Sequence, residues 1–233
     1  MSLDPVVFYI NGFLKEAETQ HLLAVTEDKF LDSMVYLPNG TSVVDKRYRT
    51  SKSAMIPHSD PVARCLDTRM KSLLGNIQHE GTEQLQLVRY GVGEEFVLHN
   101  DWLNNPRHAR DPGGTERAYN RLASLFVYLE DDCVGGETYF PQVVSAAPTA
   151  DGTKFSRTSN GEGLLVKPRR GNGVFWNTAR MNGTGDERMY HSSLPVESGV
   201  KTGMNLFGLY FLDTPIAGQH NYDVDSQHSQ FTT

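Results

Sequence analysis

The feature that most constrains this chain is a change of hydrophobic pattern near residue 83 of its 233 residues. Before that point, apolar residues recur at helical spacing in two segments, one over 15–30 and one after Asp60-Pro61. After it, short runs rich in Val, Leu, Phe and Tyr are separated by Gly, Pro and Asn, a pattern typical of strands joined by turns. The chain is therefore predicted to be mainly β, with helices confined to its N-terminal third.

The N-terminal third is predicted to hold one strand and two helices. The β-branched and aromatic run Val6–Ile10 ends at the turn signal Asn11-Gly12, which favours a strand. At the second helix, Asp60 can cap the N-terminus, and Pro61 suits the first helical position. The apolar stripe of this helix comprises Val62, Ala63, Leu66, Met70, Leu73, Leu74 and Ile77. We expect the stripe to cover one face of a sheet.

The remaining runs predict eight strands, at 84–90, 96–100, 121–129, 136–140, 163–168, 173–177, 189–196 and 202–213. Eight short strands in succession are typical of a sandwich or a jelly roll. The predicted fold class is α+β, mainly β, with the N-terminal helices packed on one outer face. The polar segments 102–120 and 142–162 are long enough to be disordered or to act as lids. We predict one domain, with a helical cover over about 1–82, a β core over about 83–213 and a polar tail over 214–233.

The charge pattern argues against nucleic acid and anionic membranes as partners. The chain has 22 basic and 28 acidic residues, a net charge of -6, and no block of Lys or Arg that could follow a phosphate backbone. No apolar stretch approaches the roughly 20 residues that span a bilayer, and residues 1–5 lack the features of a signal peptide. We expect the chain as given to be cytoplasmic; the endoplasmic reticulum is the alternative if a native leader or anchor has been removed. The sequence leaves the oligomeric state open.

The two cysteines, Cys65 and Cys133, lie far apart and in no metal-binding spacing. We expect two unpaired, mostly buried thiols without a catalytic role. A disulfide between them is the alternative.

Two histidines and an aspartate form the motif that carries chemistry. His99-Asn100-Asp101 places an imidazole and a carboxylate two positions apart at a strand end, where alternation turns both side chains to one face. His191 lies in a later strand of the same β region. An HxD pair with a distant histidine can form the 2-His-1-carboxylate triad, which holds Fe(II) and leaves positions open for substrate and oxygen. An HxD tripeptide alone is weak evidence for a metal site, so the segments around it must be considered as well.

Four segments around these residues, 84–102, 121–141, 164–177 and 188–207, resemble the prolyl 4-hydroxylase-like branch of the Fe(II)/2-oxoglutarate-dependent oxygenases. The order and spacing of the matching blocks agree with that family. FYINGFL at 8–14 and RTS at 49–51 resemble it as well, so the resemblance covers nearly the whole chain. The main blocks are LQLVRYGVG at 85–93 with the HxD motif, FVYL at 126–129, GGETYFP at 135–141, VKPRRG at 166–171, VFW at 174–176, and HSSLPV at 191–196 with Lys201.

The resemblance implies a double-stranded β-helix, or jelly roll, in which His99, Asp101 and His191 bind iron. It also implies that Lys201 pairs with the distal carboxylate of 2-oxoglutarate and that the Tyr90 hydroxyl hydrogen-bonds to the same molecule. A lysine in an apolar strand needs an anionic partner, because burying an uncompensated charge costs several kcal/mol. The expected cofactor is Fe(II), with 2-oxoglutarate and O2 as co-substrates and ascorbate as an optional reductant.

Retention of Asp101 indicates hydroxylation, since relatives that halogenate lack this carboxylate. We expect a dioxygenase that hydroxylates an unactivated C–H bond with release of succinate and CO2, acting on prolyl residues of a peptide or protein. Arg121 matches a family arginine that contacts peptide. Phe96, Phe207 and Leu209 depart from the residues that the family carries, which leaves a free amino acid or a small natural product as the alternative substrate. A third interpretation is a jelly-roll binding module without redox chemistry.

Overall fold

The computed structural model describes residues 2–37, 40–75, 81–111, 113–143, 152–159, 161–180 and 182–215. These residues form two α-helices, α1 (Glu16–Thr26) and α2 (Pro61–Leu74), and a 3-10 helix (Glu187–Met189). None of the helices in these ranges is long and apolar enough to cross a membrane. The strands are β1 (Ser2–Leu3), β2 (Val6–Ile10), β3 (Leu31–Asp32), β4 (Val35–Tyr36), β5 (Ser42–Val43), β6 (Lys52–Ile56), β7 (Gly81–Thr82), β8 (Leu85–Tyr90), β9 (Phe96–His99), β10 (Arg107–Arg110), β11 (Glu116–Glu130), β12 (Cys133–Gly135), β13 (Thr138–Phe140), β14 (Phe155–Arg157), β15 (Leu164–Val166), β16 (Gly173–Asn177), β17 (His191–Ser193), β18 (Val196–Gly199) and β19 (Lys201–Phe211).

Two layers of antiparallel strands form the body of the fold. The larger sheet has the order β1-β2-β16-β11-β19-β8-β6-β3, with β10 paired to β11 and β7 paired to β19. The smaller sheet has the order β14-β15-β13-β17-β9, and β12-β18 and β4-β5 form separate pairs. From β8 onward the chain crosses repeatedly between the two layers, as it does in a jelly roll. The architecture is the mainly β fold predicted from the strand pattern.

Both helices lie on the outer face of the larger sheet, as predicted. The Asp60 carboxylate accepts hydrogen bonds from the backbone N–H groups of Val62 and Ala63, which caps α2. Gly75, with φ 60, follows the last turn of this helix. The apolar stripe of α2 packs on side chains of β8, β11 and β19. This outer core includes Leu66, Met70, Leu74, Leu85, Leu87, Leu125, Met204 and Leu206.

A second core fills the space between the two sheets. On β11 the side chains alternate between the cores: Leu125 and Val127 face the helices, whereas Phe126 and Tyr128 face the smaller sheet. The Tyr128 hydroxyl is hydrogen-bonded to Thr138 Oγ1 at 2.8 Å, which joins β11 to β13. This inner space holds the side chains that form the candidate site.

A β-bulge in β11 changes which side chains reach the inner space. The pairing of β11 with β19 shifts register between Arg121 and Ala123, so the alternation before the bulge is out of phase with the alternation after it. Arg121 and Ser124 would face opposite sides of a regular strand. With the bulge, both side chains reach Asp101.

The N-terminal region contains more strand than the sequence predicted. β6 is a full member of the larger sheet, between β8 and β3. Only Ala54 and Ile56 of this strand are buried, and its other side chains include Lys52 and Ser53, so the apolar alternation is too short to be recognised.

Three predicted segments differ from the structure: two predicted loops contain strands, and one predicted strand is divided in two. Within 102–120, β10 pairs with the first residues of β11 to form a hairpin, and β14 lies within 142–162. The single strand predicted over 189–196 is two, β17 and β18, because Pro195 between them has no N–H for a ladder. Ile77 and the segments 144–151 and 216–233, which include most of the predicted tail, lie outside the described residues.

The two cysteines are unpaired, as predicted, but the burial prediction was wrong for Cys65. This residue lies on α2 beside the buried positions Ala63 and Leu66, on the side of the helix that faces solvent, and it is exposed. Cys133 is half-buried.

Candidate metal centre

His99 and His191 face each other across two neighbouring strands. β9 and β17 are antiparallel with these residues as direct partners, and the two ring centroids are 4.3 Å apart. The Nδ1 atom of His99 lies 2.8 Å from Val97 O, and the Nδ1 atom of His191 lies 2.9 Å from Met189 O. Because a carbonyl oxygen can only accept, each Nδ1 carries the proton. In the neutral form of each ring, Nε2 then keeps a lone pair available to a metal.

Asp101 completes the cluster just beyond the end of β9. Its carboxylate oxygens are 3.9 Å from Nε2 of His99 and 3.5 Å from Nε2 of His191. One ligand atom from each residue lies within 4.8 Å of the others, and no second group of this kind occurs in the part of the chain that the structure describes. Two imidazoles and one carboxylate are the donor set that fits non-haem Fe(II).

The surroundings of Asp101 keep this carboxylate charged. Ser124 Oγ donates a hydrogen bond of 2.7 Å to Oδ2, and Arg121 Nη1 lies 3.7 Å from Oδ1. Burial alone would raise the pKa of the Asp101 carboxyl, but His191, His99 and Arg121 outweigh burial and hold the pKa below its usual value. Burial, together with the neighbouring His191, lowers the pKa of His99 to about 3. At neutral pH, Asp101 and His99 are therefore in the deprotonated forms that metal binding requires.

The cluster lies in the wall of a cavity of about 910 Å³, a volume that suits a small ligand or one end of a longer one. The six residues singled out from the sequence all line this cavity: Tyr90, His99, Asp101, Arg121, His191 and Lys201. The structure therefore brings together side chains that are up to 111 positions apart, from Tyr90 to Lys201. Exposed apolar side chains also line the cavity: Leu31, Met34, Tyr36, Tyr48, Met55 and Leu98.

Lys201 is fully buried at the start of β19, directly opposite Tyr90 on β8. Its Nζ donates hydrogen bonds to Gly136 O at 2.6 Å and to Ser193 Oγ at 2.7 Å. Among the described residues, no carboxylate lies within ion-pair distance of this ammonium. Burial lowers the pKa of Lys201 to about 7. A buried cation that is held only by neutral groups favours the arrival of an anionic ligand.

The Arg121 guanidinium already has an anionic partner within the protein. Its Nε and Nη2 donate to the two carboxylate oxygens of Glu83 at 2.9 and 3.0 Å. The Phe207 ring lies 3.6 Å from Cζ, so the guanidinium is also stacked on an aromatic face. Arg121 is thus joined to Asp101 on one side and to Glu83 on the other. Its contact with a substrate stays a prediction.

Sequence reasoning missed three polar residues of this site, Glu83, Ser124 and Arg49. Alternation could have identified Ser124, since it has the same parity as Phe126 and Tyr128 on the predicted strand. Arg49 belongs to the RTS block at 49–51 that resembles the family, but that resemblance assigned it no role. Glu83 carries no local signal, because its partner Arg121 comes from a distant part of the chain.

Solved structures of prolyl hydroxylases share this fold. The viral collagen prolyl hydroxylase vCPH from Paramecium Bursaria Chlorella virus-1, in complex with 2-oxoglutarate, aligns with a TM-score of 0.60 at 22% identity over 87% of this chain and 94% of that one. A prolyl-4-hydroxylase from Pseudomonas putida aligns with a TM-score of 0.55 at 14% identity over 87% of this chain and 91% of that one. These alignments confirm the predicted double-stranded β-helix.

Curated relatives are similar over most of the chain. Probable prolyl 4-hydroxylase 6 of Arabidopsis thaliana is 29% identical over 204 residues, which cover 86% of this chain and 68% of the relative. Prolyl 4-hydroxylase subunit alpha-1 of Rattus norvegicus is 28% identical over 200 residues, but the chain spans only 33% of its length. Residues 85–208 match the family described as the 2OG-Fe(II) oxygenase superfamily, and this span contains all six residues singled out from the sequence. By this match over more than half of its length, the chain belongs to the 2OG-Fe(II) oxygenase superfamily.

Proposed function

We propose that the protein hydroxylates prolyl residues in a peptide or protein with O2 as the oxidant: one oxygen atom enters the substrate and the other enters succinate, while 2-oxoglutarate loses CO2. The family and the His-Asp-His cluster imply Fe(II) as cofactor and 2-oxoglutarate as co-substrate. The observation that carries the proposal is that the cluster and a buried lysine without a carboxylate partner line the same cavity.

In this proposal His99, Asp101 and His191 ligate iron through two Nε2 atoms and one carboxylate. Lys201 pairs with the carboxylate of 2-oxoglutarate that does not bind the metal, and Tyr90, its cross-strand neighbour, hydrogen-bonds through its hydroxyl. When bound, the iron and its co-substrate supply the oxidising chemistry for an unactivated C–H bond. The protein positions the substrate and keeps water from the reacting atoms.

The electrostatics of the free site support these roles. The backbone carbonyls hold each imidazole in the tautomer that a metal needs, and the pKa of Asp101 is held low. Lys201 interacts with two neutral oxygens, so a dianionic co-substrate supplies the negative charge that this buried ammonium lacks.

The choice of a prolyl substrate rests on the relatives, since those that match over most of this chain are prolyl 4-hydroxylases. The exposed apolar side chains along the cavity support a substrate that extends beyond it. Phe207 and Leu209, which also line the cavity, favour the alternative of a free amino acid or a small natural product, because they offer no polar group to a peptide backbone. The binding module without redox chemistry is set aside, because the chain belongs to an oxygenase family and carries the ligand set.

The proposed function is tested by succinate formation from 2-oxoglutarate with Fe(II), ascorbate and a proline-rich peptide. The control peptide has alanine in place of each proline. We expect succinate and a mass gain of one oxygen with the proline peptide only. Stimulation by free amino acids or small molecules, but not by peptide, would favour the alternative substrate. Absence of succinate under every condition would contradict the oxygenase activity itself.

A further inference from the structure

Arg49 is a buried arginine in the cavity wall that the proposed reaction does not use. It is 7% exposed and lines the cavity together with Tyr90, Phe96 and His99. Its Cζ lies 4.6 Å from the centroid of the Phe96 ring, and that ring stacks on the His99 ring with centroids 3.6 Å apart. One aromatic ring therefore links the guanidinium to the candidate metal centre.

A row of serines fixes the orientation of this guanidinium. Arg49 Nε donates a hydrogen bond of 2.9 Å to Ser51 Oγ, and Ser51 Oγ is hydrogen-bonded to Ser33 Oγ at 2.9 Å. Ser33 Oγ is in turn hydrogen-bonded to Ser53 Oγ. Because Nε is occupied by this network, Tyr90 interacts with the terminal NH2 groups, and their remaining N–H donors face the cavity ligand site. Tyr90 is the other side chain whose hydrogen bonding supports the guanidinium.

Among the described side chains of the cavity wall, Arg49 is the buried cation that has neither an anionic partner in the protein nor a role in the proposed reaction. Arg121 is paired with Glu83, and Lys201 is assigned to 2-oxoglutarate. Arg107 is exposed and donates to the Tyr36 hydroxyl. Within the described ranges no carboxylate lies at ion-pair distance from Arg49.

The charges around Arg49 in the free site are balanced in part by Asp101. Burial lowers the pKa of Arg49, whereas Tyr90 and, more weakly, the negative charge of Asp101 act to raise it. A metal bound to Asp101 would offset that negative charge. An anion that arrives with the substrate would then compensate Arg49, and a carboxylate matches the paired NH2 groups of a guanidinium.

We propose that Arg49 binds a carboxylate group of the substrate. This inference rests on the proposed function, because it takes the cavity as the substrate site and Lys201 as the co-substrate site. The carboxylate has two sources: the free carboxylate at the end of a small substrate, or an acidic side chain beside the target residue in a peptide. Both give the same ion pair with the guanidinium.

The proposal is tested by calorimetric titration of the protein loaded anaerobically with Mn(II) and 2-oxoglutarate, conditions without turnover. The probes are two matched pairs of N-acetylated peptides. One pair ends in proline as the free acid or as the amide; the other is amidated and has glutamate or glutamine before the proline. We expect the acid of at least one pair to bind roughly tenfold or more tightly than its neutral counterpart, as charged hydrogen bonds require. The pair that shows the difference identifies the source.

Variants of Arg49 assign the preference to this side chain. Arg49→Gln should remove the preference for the acid, and Arg49→Lys should restore part of it. In the wild-type protein, equal affinity within both pairs, or binding of none of the probes, overturns the proposal without any variant. A preference for the acid that survives Arg49→Gln also overturns the proposal. A tenfold loss of 2-oxoglutarate affinity in Arg49→Gln would overturn it as well, because Arg49 would then bind the carboxylate of the co-substrate and not that of the substrate. Failure of the oxygenase activity gives a different result, since 2-oxoglutarate would not bind the metal-loaded protein at all. Failure of the prolyl substrate alone is identified separately, by succinate formation that the proline peptide does not stimulate.

Discussion

Ser124 donates a hydrogen bond of 2.7 Å to Asp101 from the middle of β11. The serine is 1% exposed, and the strand around it is paired on both sides, with β16 and with β19. A donor on so rigid a strand fixes the orientation of the Asp101 carboxylate. Groups that hold a metal ligand in this way tune the affinity of the site. Ser124 therefore acts as a positioning residue for the candidate metal centre.

We expect Ser124→Ala to weaken metal binding by roughly 10- to 100-fold, the usual effect of removing such a partner of a ligand. Calorimetric titration with Mn(II) measures the change, and circular dichroism verifies that the fold is kept. Ser124→Thr retains a hydroxyl and should stay close to the wild-type affinity. If alanine and threonine gave the same affinity as serine, the hydrogen bond would have no part in metal binding.

Glu83→Gln should destabilise the fold, because it removes the carboxylate that is hydrogen-bonded to the buried Arg121 guanidinium and leaves Asp101, at 3.7 Å, as its remaining anionic neighbour. Breaking such a buried pair costs about 3–5 kcal/mol. Urea unfolding measures the change. Glu16→Gln is the matched control, since the ion pair of Glu16 with Arg170 is largely exposed and should contribute little. Equal stability of the two variants would show that the Glu83–Arg121 pair is not a buried contact in solution.

The affinity for 2-oxoglutarate should fall as pH rises through about 7, because burial lowers the pKa of Lys201 to that value. Only the protonated lysine can pair with the co-substrate. The charges of Cys133 and Glu137 favour the protonated form but are outweighed by burial. Calorimetric titration of the Mn(II)-loaded protein between pH 6 and 9, in buffers with different ionisation enthalpies, should detect proton uptake on binding above pH 7. A constant affinity with no proton uptake would contradict this account.

The lowered pKa of Lys201 also predicts that the free protein becomes more stable as pH rises, the opposite of the trend in 2-oxoglutarate affinity. The pKa of Lys201 is lower in the folded state than the unperturbed 10.5, so the unfolded state binds more protons between these values. The contribution of Lys201 to the free energy of unfolding should therefore increase from pH 7 towards pH 10. Urea unfolding of the wild type and of Lys201→Met at several pH values isolates this contribution, and parallel pH profiles would count against it.

Gly136→Ala should reduce both stability and 2-oxoglutarate affinity. Gly136 has a φ of +69, and a Cβ there would lie 3.1 Å from Lys201 Cδ and from Val196 Cγ2. Such strain costs on the order of 1–3 kcal/mol. Gly12→Ala is the control, because Gly12 also has a positive φ but has no heavy atom within 4 Å of the added Cβ. Both variants should lose stability, and only Gly136→Ala should bind 2-oxoglutarate more weakly.

The sequence could predict the position of residues that belong to a pattern within one segment of the chain. The stripe of α2, its cap Asp60 and the alternation along β11 predict the helices and the core strands, because their partners are set by period and position. The HxD motif is local as well, and the family resemblance supports His191, a histidine in a later strand, as its distant partner. These features give the fold class and the three candidate ligands.

The residues that could not be predicted depend on long-range geometry. The bulge between Arg121 and Ala123 directs Arg121 towards Asp101, and no single-sequence pattern marks a bulge here. Glu83 pairs with Arg121 across 38 positions, and the cavity contacts of Arg49 come from equally distant strands. Side chains that pair across sheets can be assigned only when the register of the strands is known.

In the proposed site, His99, Asp101 and His191 hold Fe(II) beside a lysine that binds 2-oxoglutarate. The most direct test of this arrangement is an anaerobic titration of the protein with Fe(II) and 2-oxoglutarate, followed by the visible absorption band that arises when the co-substrate chelates the metal. We predict the band in the wild type, its loss in Asp101→Ala, and in Lys201→Ala a weaker 2-oxoglutarate affinity with nearly unchanged metal affinity. No band in the wild type, or an equal loss of metal and co-substrate binding in Lys201→Ala, would contradict the account.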